Sequence, residues 1–482
     1  MFDVRPVAYV IGLLVTCLGL TMLVPMLVDI AEGRGEWPVF AESAIMTIAA
    51  GGLIALATQN AVKERMSLQQ IFLLTTGVWL VLPIFGAIPF ILGATEARFI
   101  DAFFEAMSGM TTTGSTVFTG LDELPKGLLL WRGLLQWLGG IGIIVVAMVF
   151  LPELRVGGMQ IFRSEAFDTM GKVLPRAAEI SSSISSIYIT ITLTCTLAYI
   201  ATGMNVFDAT VHALTTVSTG GFSNYDASFG TFAGPAEYVA SFFMILAALP
   251  FVRYVQLVNG QERAILRDSQ IHVFLIIIGV LVAVTVSVLL TLYPRHPEAA
   301  LREALFNIVS IMTGTGYASV DYMTWGPFLI AMFFFIGLIG GCAGSTACSI
   351  KVFRWQLMMA SVRSQLRRIR TPHGLFAPRF EGRPVGEDVL SSVVTFFLFF
   401  IVTLGLFAVA LGMTGLDFII SLSGAASALA NIGPGLGPII GPAGNFAPLN
   451  DAAKWLLCLA MLMGRLELMA VLVLFTPRFW RG

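Results

Sequence analysis

The sequence predicts an all-α polytopic membrane protein with about ten transmembrane helices. Of its 482 residues, 57% are hydrophobic and only 12% are charged, and the mean hydropathy is +0.86. A soluble domain needs more polar surface than this to stay dissolved. Apolar stretches of about 20 residues recur along the whole chain, and this length crosses a hydrocarbon core of about 30 Å.

Hydropathy and the polar residues between apolar stretches place each crossing. We place the crossings at 7–28, 39–60, 70–93, 128–151, 182–203, 236–258, 270–293, 326–350, 388–412 and 453–476. The first stretch lacks a small-residue cleavage site before Asp29 and is followed by another apolar stretch, so we interpret it as a retained span rather than a signal peptide. An even number of crossings puts both termini on the same side.

Lysine and arginine indicate which side holds the termini. If the termini are cytoplasmic, most of the 28 Lys and Arg residues lie inside, including the longest basic stretch, Lys351 to Arg383. The positive-inside rule therefore predicts a multi-pass protein of the bacterial inner membrane with cytoplasmic termini. The five cysteines lie in apolar segments without zinc-site spacing, so we expect them to be buried and expect no covalent cofactor. We expect membrane lipid, and no nucleic acid, as a partner.

Four outer loops each contain a semi-apolar segment that is too short to span, followed by a cluster of small residues. The clusters are MTTTGST at 110–116, VSTGGFS at 217–223, MTGTGYAS at 312–319 and ANIGPGLG at 430–437. We interpret each as a short helix that enters the membrane and a loop that turns back. Irregular backbone survives at membrane depth only where it is buried in protein or lines a water-filled cavity.

The four clusters align without gaps when one glycine of each is placed in register. These phased glycines are Gly114, Gly221, Gly316 and Gly433. Six residues before them stand Ser108, Thr215, Ser310 and Ser427, and thirteen residues before the first three stand Asp101, Asp208 and Glu303. The fourth repeat has Ile420 at that place and Asp417 one turn upstream. We expect these acids to lie at the positive ends of the helix dipoles and to cap the free N–H groups of the short helices. Each repeat would then consist of a span, a pore helix, a filter loop and a second span.

This arrangement favours a cation at a shared centre. The short helices start outside and point inward, so the negative ends of their dipoles aim at a common cavity. Glycine lets the backbone turn its carbonyl oxygens toward one axis, and rings of carbonyl oxygens can replace the hydration shell of a cation. The expected carbonyl donors precede the phased glycines and are Thr112, Thr113, Thr219, Gly220, Gly314, Thr315, Asn431 and Ile432.

With these motifs, the chain resembles the Trk/Ktr/HKT superfamily of potassium transporters, and within it the TrkH/TrkG branch. The resemblance covers nearly the whole chain and includes GLDELPK at 120–126, LQWLGGIGIIV at 135–145, IGGCAGST at 339–346 and MGRLE at 463–467. It implies four pseudo-repeated units around one central pore, K⁺ as the transported ion bound at the filter residues, and a homodimer. It also implies gating by a cytosolic, TrkA-like subunit, which would be the only component that binds a nucleotide. A glycine at the position of Gly114 is typical of potassium-selective members.

The resemblance further implies an intramembrane gate and a pore arginine. The gate loop would interrupt the inner span of the third repeat and comprises Gly340, Gly341, Cys342, Ala343, Gly344, Ser345 and Thr346. The chain departs from the family's glycine run just afterwards, at Ala347, Cys348 and Ser349. The arginine is Arg465, whose charge is costly within a span. It either reaches the pore below the filter or pairs internally with Glu467 or a carbonyl group.

These expectations divide the chain into consecutive units. They are two N-terminal helices (1–67), pore repeat 1 (68–155), pore repeat 2 (180–258), pore repeat 3 with the gate loop (268–352), a cytoplasmic basic loop (353–386) and pore repeat 4 (387–482).

Two other functional classes have less support. The sequence contains no HExxH or GxSxG motif and no paired intramembrane aspartates, so we expect neither catalytic residues nor enzymatic activity. A secondary transporter with alternating access usually has inverted repeats, whereas these four repeats share one orientation. Coupling to Na⁺ or H⁺, as in a cation symporter of the same superfamily, stays open at this point.

Overall fold

The structure, a computed structural model, describes residues 3–33, 35–61, 66–146, 158–159, 173–261, 263–293, 295–371, 374 and 376–481. Apart from one isolated bridge and a hairpin that pairs Arg379–Phe380 with Arg383–Pro384, these residues form helices and loops. Within these ranges, seven helices are long and apolar enough to cross a membrane, or nine if each of two bent helix pairs counts as one span. The prediction of an all-α polytopic membrane protein is confirmed.

The N-terminal spans pack through two glycines. Helices Arg5–Thr21 and Leu23–Glu32 form the first span, and helix Trp37–Thr58 with the 3₁₀ turn Gln59–Ala61 forms the second. A Cβ on Gly12 would lie 2.8 Å from the carbonyl oxygen of Gly51, and a Cβ on Gly51 would lie 2.7 Å from that of Gly12. Glycine therefore lets the two backbones touch. The opposite face of the first helix is exposed and carries Cys17, so the expectation of five buried cysteines is wrong for this residue.

Each of the four repeats contains an outer span, a short buried helix that we call the pore helix, and an inner helix. The outer spans are Leu68–Gly86 with Ile88–Leu92, Val173–Ala201, Ser269–Leu292 and Glu387–Met413. Pore helices 1 to 4 are Phe99–Met110, Val206–Val217, Pro297–Thr313 and Phe418–Ala430. The inner helices are Lys126–Val145, Pro235–Ala247 with Phe251–Val258, Pro327–Gly337 and Asp451–Arg465 with Leu468–Leu472. The remaining helical segments are Leu121–Glu123, Ser228–Phe232, Arg263–Arg267, Tyr322–Trp325, Val352–Arg370, Val473–Phe475 and Pro477–Arg481.

Burial separates these helices into two layers. In the most apolar stretch of Ser269–Leu292 and of Glu387–Met413, 28% of the residues are buried, whereas 67% are buried in Lys126–Val145. Most residues of the pore helices are buried. The outer spans therefore present their apolar surface to lipid, and the pore helices, whose ends need partners at membrane depth, are enclosed by protein.

Three predicted crossings are interrupted. The crossing at 236–258 bends by 87° after Ala247, where Pro250 cannot continue the helical hydrogen bonds. The crossing at 453–476 bends by 112° at Glu467, whose φ is +62°. The crossing at 326–350 is helical only over Pro327–Gly337. The end of the predicted crossing 128–151, from residue 147 onward, and the predicted end of repeat 1 at residue 155 lie outside the described residues.

A buried ion pair joins pore helix 1 to the first inner helix. The Nε atom of Arg132 donates to the Glu105 carboxylate over 2.8 Å, and the two side chains are 1% and 0% exposed. Glu105 also accepts from the hydroxyl group of Thr116 and the backbone N–H of Val117, both at 2.9 Å. Nη1 of Arg132 donates to the carbonyl oxygen of Ser223 over 2.6 Å. One ion pair therefore fixes the loops that follow pore helices 1 and 2.

We expect Glu105→Ala to destabilise the protein by about 3–5 kcal/mol, because it leaves the Arg132 charge buried without its carboxylate. Thermal unfolding of the detergent-solubilised protein measures the effect. The control is Arg98→Ala, which removes an exposed ion pair with Asp451 and should change the unfolding midpoint far less. Equal midpoint shifts in the two variants would contradict a structural role for the buried pair.

Candidate functional site

The four filter loops share one backbone conformation. The residue two positions before each phased glycine has a positive φ, and the four values are +51° at Thr112, +52° at Thr219, +75° at Gly314 and +50° at Asn431. The phased glycines also have positive φ, with +86° at Gly114, +74° at Gly221, +80° at Gly316 and +108° at Gly433. Left-handed backbone at Thr is strained and persists only where the surroundings enforce it.

A shared hydrogen bond explains the Ser or Thr six residues before each glycine. In every repeat, the residue before the glycine donates its N–H to the carbonyl oxygen of this Ser or Thr. The bonds are Thr113 to Ser108, Gly220 to Thr215 and Thr315 to Ser310, each 2.9 Å, and Ile432 to Ser427, 3.0 Å. The end of each pore helix therefore holds its own filter loop, since a free carbonyl group of the last turn accepts this bond.

The phased glycines close the four loops into a ring. A Cβ on each glycine would meet the carbonyl oxygen that precedes the glycine of the next repeat. The Cβ would contact the carbonyl oxygen of Gly220 at Gly114, of Thr315 at Gly221, of Ile432 at Gly316 and of Thr113 at Gly433. The distance from the added Cβ of Gly433 to the carbonyl oxygen of Thr113 is 2.8 Å. Three of the four contacts are severe overlaps with backbone atoms, so no side chain fits there. The repeats are therefore arranged in the cyclic order 1, 2, 3, 4.

The twelve predicted filter residues come together at this ring. Ten of them are buried, and Gly114 and Gly316 are partly exposed. All four phased glycines line one outer cavity of about 260 Å³. The ring therefore connects an outer vestibule to the protein interior.

Side chains outside the predicted set support the loops. Gln136, on the first inner helix, donates to the carbonyl oxygen of Gly220 over 2.6 Å and accepts from the N–H of Phe222 over 3.0 Å. Ser115 and Ser427 both donate to the carbonyl oxygen of Gly433 over 2.8 Å. No motif predicted the roles of Gln136, Glu105 and Arg132, although a polar side chain within an apolar helix is the signal that could have found them.

Asp101 and Asp208 lie in the first turns of pore helices 1 and 2, at the positive ends of the helix dipoles, but the prediction that the acids cap these helices is wrong. Asn205 accepts the N–H of Asp208 over 2.9 Å and caps pore helix 2 in its place. Asp208 instead accepts hydrogen bonds from the side chains of Asn224 and Tyr225, each 2.7 Å long. Asp101 pairs with Lys454 over 2.6 Å. Because pore helix 3 begins early, at Pro297, Glu303 lies beyond its first turn and pairs with Arg295.

The predicted cap of pore helix 4 is also absent. Asp417 is the N-cap residue, but its side chain accepts no hydrogen bond from the first turn, and Ile420 at the phased position is apolar and buried.

The predicted gate loop lies directly beneath the filter. Helix Pro327–Gly337 ends before it, and the chain continues without helix as far as Lys351. The N–H groups of Cys342 and Thr346 donate to the carbonyl oxygens of Ala248 and Ala247, over 3.0 and 3.3 Å. These contacts attach the loop to the bend in the second inner helix, whose carbonyl groups are free because Pro250 interrupts the helix.

The departure from the family's glycine run is the part of this segment that contacts the filter. The N–H of Cys348 donates to the carbonyl oxygen of Thr313 over 3.3 Å, and its Sγ lies 3.8 Å from Oγ1 of Thr112. Ser349, with a φ of +63°, donates its N–H to the carbonyl oxygen of Ala430 over 3.0 Å. Cys348 therefore lies under the filter loops of repeats 1 and 3, a position that its apolar surroundings in the sequence did not predict.

Arg465 lies on the other side of this segment. Its Nη1 lies 3.3 Å from the carbonyl oxygen of Thr346 and 2.8 Å from Sγ of Cys348, and the residue is 5% exposed. Glu467, the partner considered from the sequence, binds Arg354 instead, at 2.5 Å. Arg465 thus contacts a carbonyl group and a thiol of the segment below the filter, and its role in the pore stays a prediction.

Comparisons with known proteins agree with this architecture. The family model described as "TrkH: Cation transport protein" matches residues 36–481. The Trk system potassium uptake protein TrkI of Halomonas elongata is 44% identical over 99% of this chain and 97% of its own length. TrkH of Escherichia coli K12 is 35% identical over 99% of both chains. The crystal structure of the potassium transporter TrkH from Vibrio parahaemolyticus superimposes with a TM-score of 0.92 at 33% identity and covers 100% of both chains. The chain belongs to the TrkH family of cation transport proteins.

Proposed function

We propose that this protein takes up potassium across the bacterial inner membrane through a gated, K⁺-selective pore. The closed ring of four filter loops carries the proposal. Thr112, Thr113 and Gly114 with their equivalents in the other repeats form the selectivity filter: Thr219, Gly220, Gly221, Gly314, Thr315, Gly316, Asn431, Ile432 and Gly433. Their carbonyl groups replace the hydration shell of K⁺, and the names of the relatives support potassium as the ion.

The backbone conformation of the filter loops supports the binding of an ion by their carbonyl oxygens. The left-handed residue and the phased glycine alternate with residues of other conformation, so the peptide planes of each loop turn along the axis. The four pore helices end at these loops and add the negative ends of their dipoles. In repeat 2, Gln136 already occupies one lone pair of the Gly220 oxygen, which leaves its second lone pair for an ion.

Below the filter, residues 340–346 act as the gate and Arg465 as the barrier that holds it closed. The hydrogen bonds from Cys342 and Thr346 to the second inner helix support this role, because they attach the loop to a neighbouring repeat. The contacts of Arg465 with Thr346 and Cys348 support a positive charge next to the ion path. A cation that leaves the filter therefore meets electrostatic repulsion until the segment moves.

The surrounding assembly is part of the same proposal. The resemblance supports a homodimer with cytoplasmic termini and a TrkA-like cytosolic subunit that binds the nucleotide. Helix Val352–Arg370 supports such a docking surface, because Arg363, Arg367, Arg368 and Arg370 are exposed on it. The functional units keep the boundaries 1–67, 68–155, 180–258, 268–352, 353–386 and 387–482.

We expect Gly316→Ser to lower the ratio of K⁺ to Na⁺ flux by about tenfold, a loss of about 1.4 kcal/mol of discrimination. The added Cβ collides with the carbonyl oxygen of Ile432 and displaces one member of the ring. Downhill flux into liposomes, recorded first with K⁺ and then with Na⁺ and without any other ion gradient, measures the ratio. The control is Gly279→Ser, on an outer span with no atom within 4 Å of the added Cβ. An unchanged ratio in Gly316→Ser would argue against this filter.

We expect Arg465→Gln to raise K⁺ flux about tenfold. Two unit charges about 10 Å apart repel by about 1.7 kcal/mol at an effective dielectric constant of about 20, and the variant removes this repulsion. The control is Arg465→Lys, which keeps the charge and should raise the flux far less than Arg465→Gln. If both variants conduct equally, the role of Arg465 is packing rather than electrostatic repulsion.

A further inference from the structure

The cavity under the filter has an uneven charge balance. It contains about 40 Å³ of free space and is lined by Cys348, Lys351, Arg354, Arg465 and Glu467 among others. That volume has room for a few water molecules or one small ion. Of the lining side chains in the described part of the chain, three are cationic and one, Glu467, is anionic.

The single carboxylate is already engaged. Arg354 binds Glu467 over 2.5 Å and stacks on the ring of Phe396 at 3.9 Å. Lys351 donates to the carbonyl oxygen of Ala347, a neutral acceptor. Among the residues that the structure describes, Lys351 and Arg465 form no salt bridge. Two positive charges thus face this cavity without a carboxylate.

The guanidinium group of Arg465 offers two adjacent donors. Its Nη1 is occupied by Thr346 and Cys348, whereas Nε and Nη2 are buried and have no hydrogen-bond partner in the described chain. Nε and Nη2 form the side of the guanidinium group that presents two parallel N–H bonds, the geometry that binds anions. Buried donors of a charged group normally have an acceptor, because leaving them unpaired is unfavourable.

We propose that the closed gate holds a small inorganic anion, chloride in the cell, on the Nε–Nη2 edge of Arg465. The free volume selects a monatomic anion and excludes phosphate esters and nucleotides. The anion neutralises part of the excess charge and favours the conformation in which Arg465 contacts the gate segment. Opening separates these groups, so chloride acts as a ligand of the closed state. The effect on flux depends on the proposed function, whereas binding of the anion does not.

Direct binding is tested with bromide, which replaces chloride and scatters anomalously. Crystals of the full-length protein grown in sodium bromide should show an anomalous peak at hydrogen-bond distance from Nε and Nη2 of Arg465. Arg465→Lys keeps the charge but lacks the paired donors, and it should lose the peak. A clear density map with water alone at this position in the unmutated protein would overturn the proposal.

The consequence for gating is tested by K⁺ flux in potassium chloride and in potassium gluconate. We expect the flux to be about threefold higher in gluconate than in chloride. This factor holds if chloride binds only the closed state and is present at about twice its dissociation constant. Arg465→Lys should abolish this difference, and the control Arg98→Gln, on the outer surface, should retain it. Equal flux in the two salts would overturn the regulatory role. Absence of K⁺ flux in both salts would instead contradict the proposed function, and the bromide experiment would still decide the anion site.

Discussion

The contact between each phased glycine and a carbonyl oxygen of the next repeat is the constraint on which the rest of the structure depends. Because no Cβ fits at three of these contacts, the loops approach more closely than any other residue allows. The pore helices must therefore end at the same depth, and each holds its loop through the same backbone hydrogen bond. The outer spans, which face lipid, need only length and apolar surface. Substitutions should therefore be tolerated better in the outer spans than at the ring.

The pairing of charged side chains differs between the two sides of this ring. On the outer side, two carboxylates of pore helix 1 have cationic partners, Glu105 with Arg132 and Asp101 with Lys454, whereas Asp208 of pore helix 2 is bound by neutral side chains. These pairs hold loops in place and leave little net charge at the vestibule. On the inner side, cations outnumber the carboxylate around Arg465. The outer pairs therefore serve rigidity, and the inner excess of cations lies at the proposed gate.

Much of this architecture follows from local patterns in the sequence. Hydropathy predicted the membrane spans because crossing length is a local property, and the register of small residues predicted the four loops. The bends at Pro250 and Glu467 were not predicted, although Pro250 is a local signal for the first of them. The cyclic order of the repeats and the bond from Gln136 to Gly220 are contacts between distant segments, which no local pattern reports. For the same reason, the sequence predicted that Cys348 is buried but did not predict its contacts with the filter loops.

The ring joins four segments of one polypeptide rather than four identical subunits. In a symmetric tetramer, every substitution at the ring appears four times, so a change that is tolerable once becomes prohibitive. Here the residues before the glycines are Thr113, Gly220, Thr315 and Ile432, and each can vary independently of the others. The four loops therefore share one backbone conformation and approximate fourfold symmetry but differ in their side chains. A substitution can therefore change one quadrant of the ring while the other three keep their contacts.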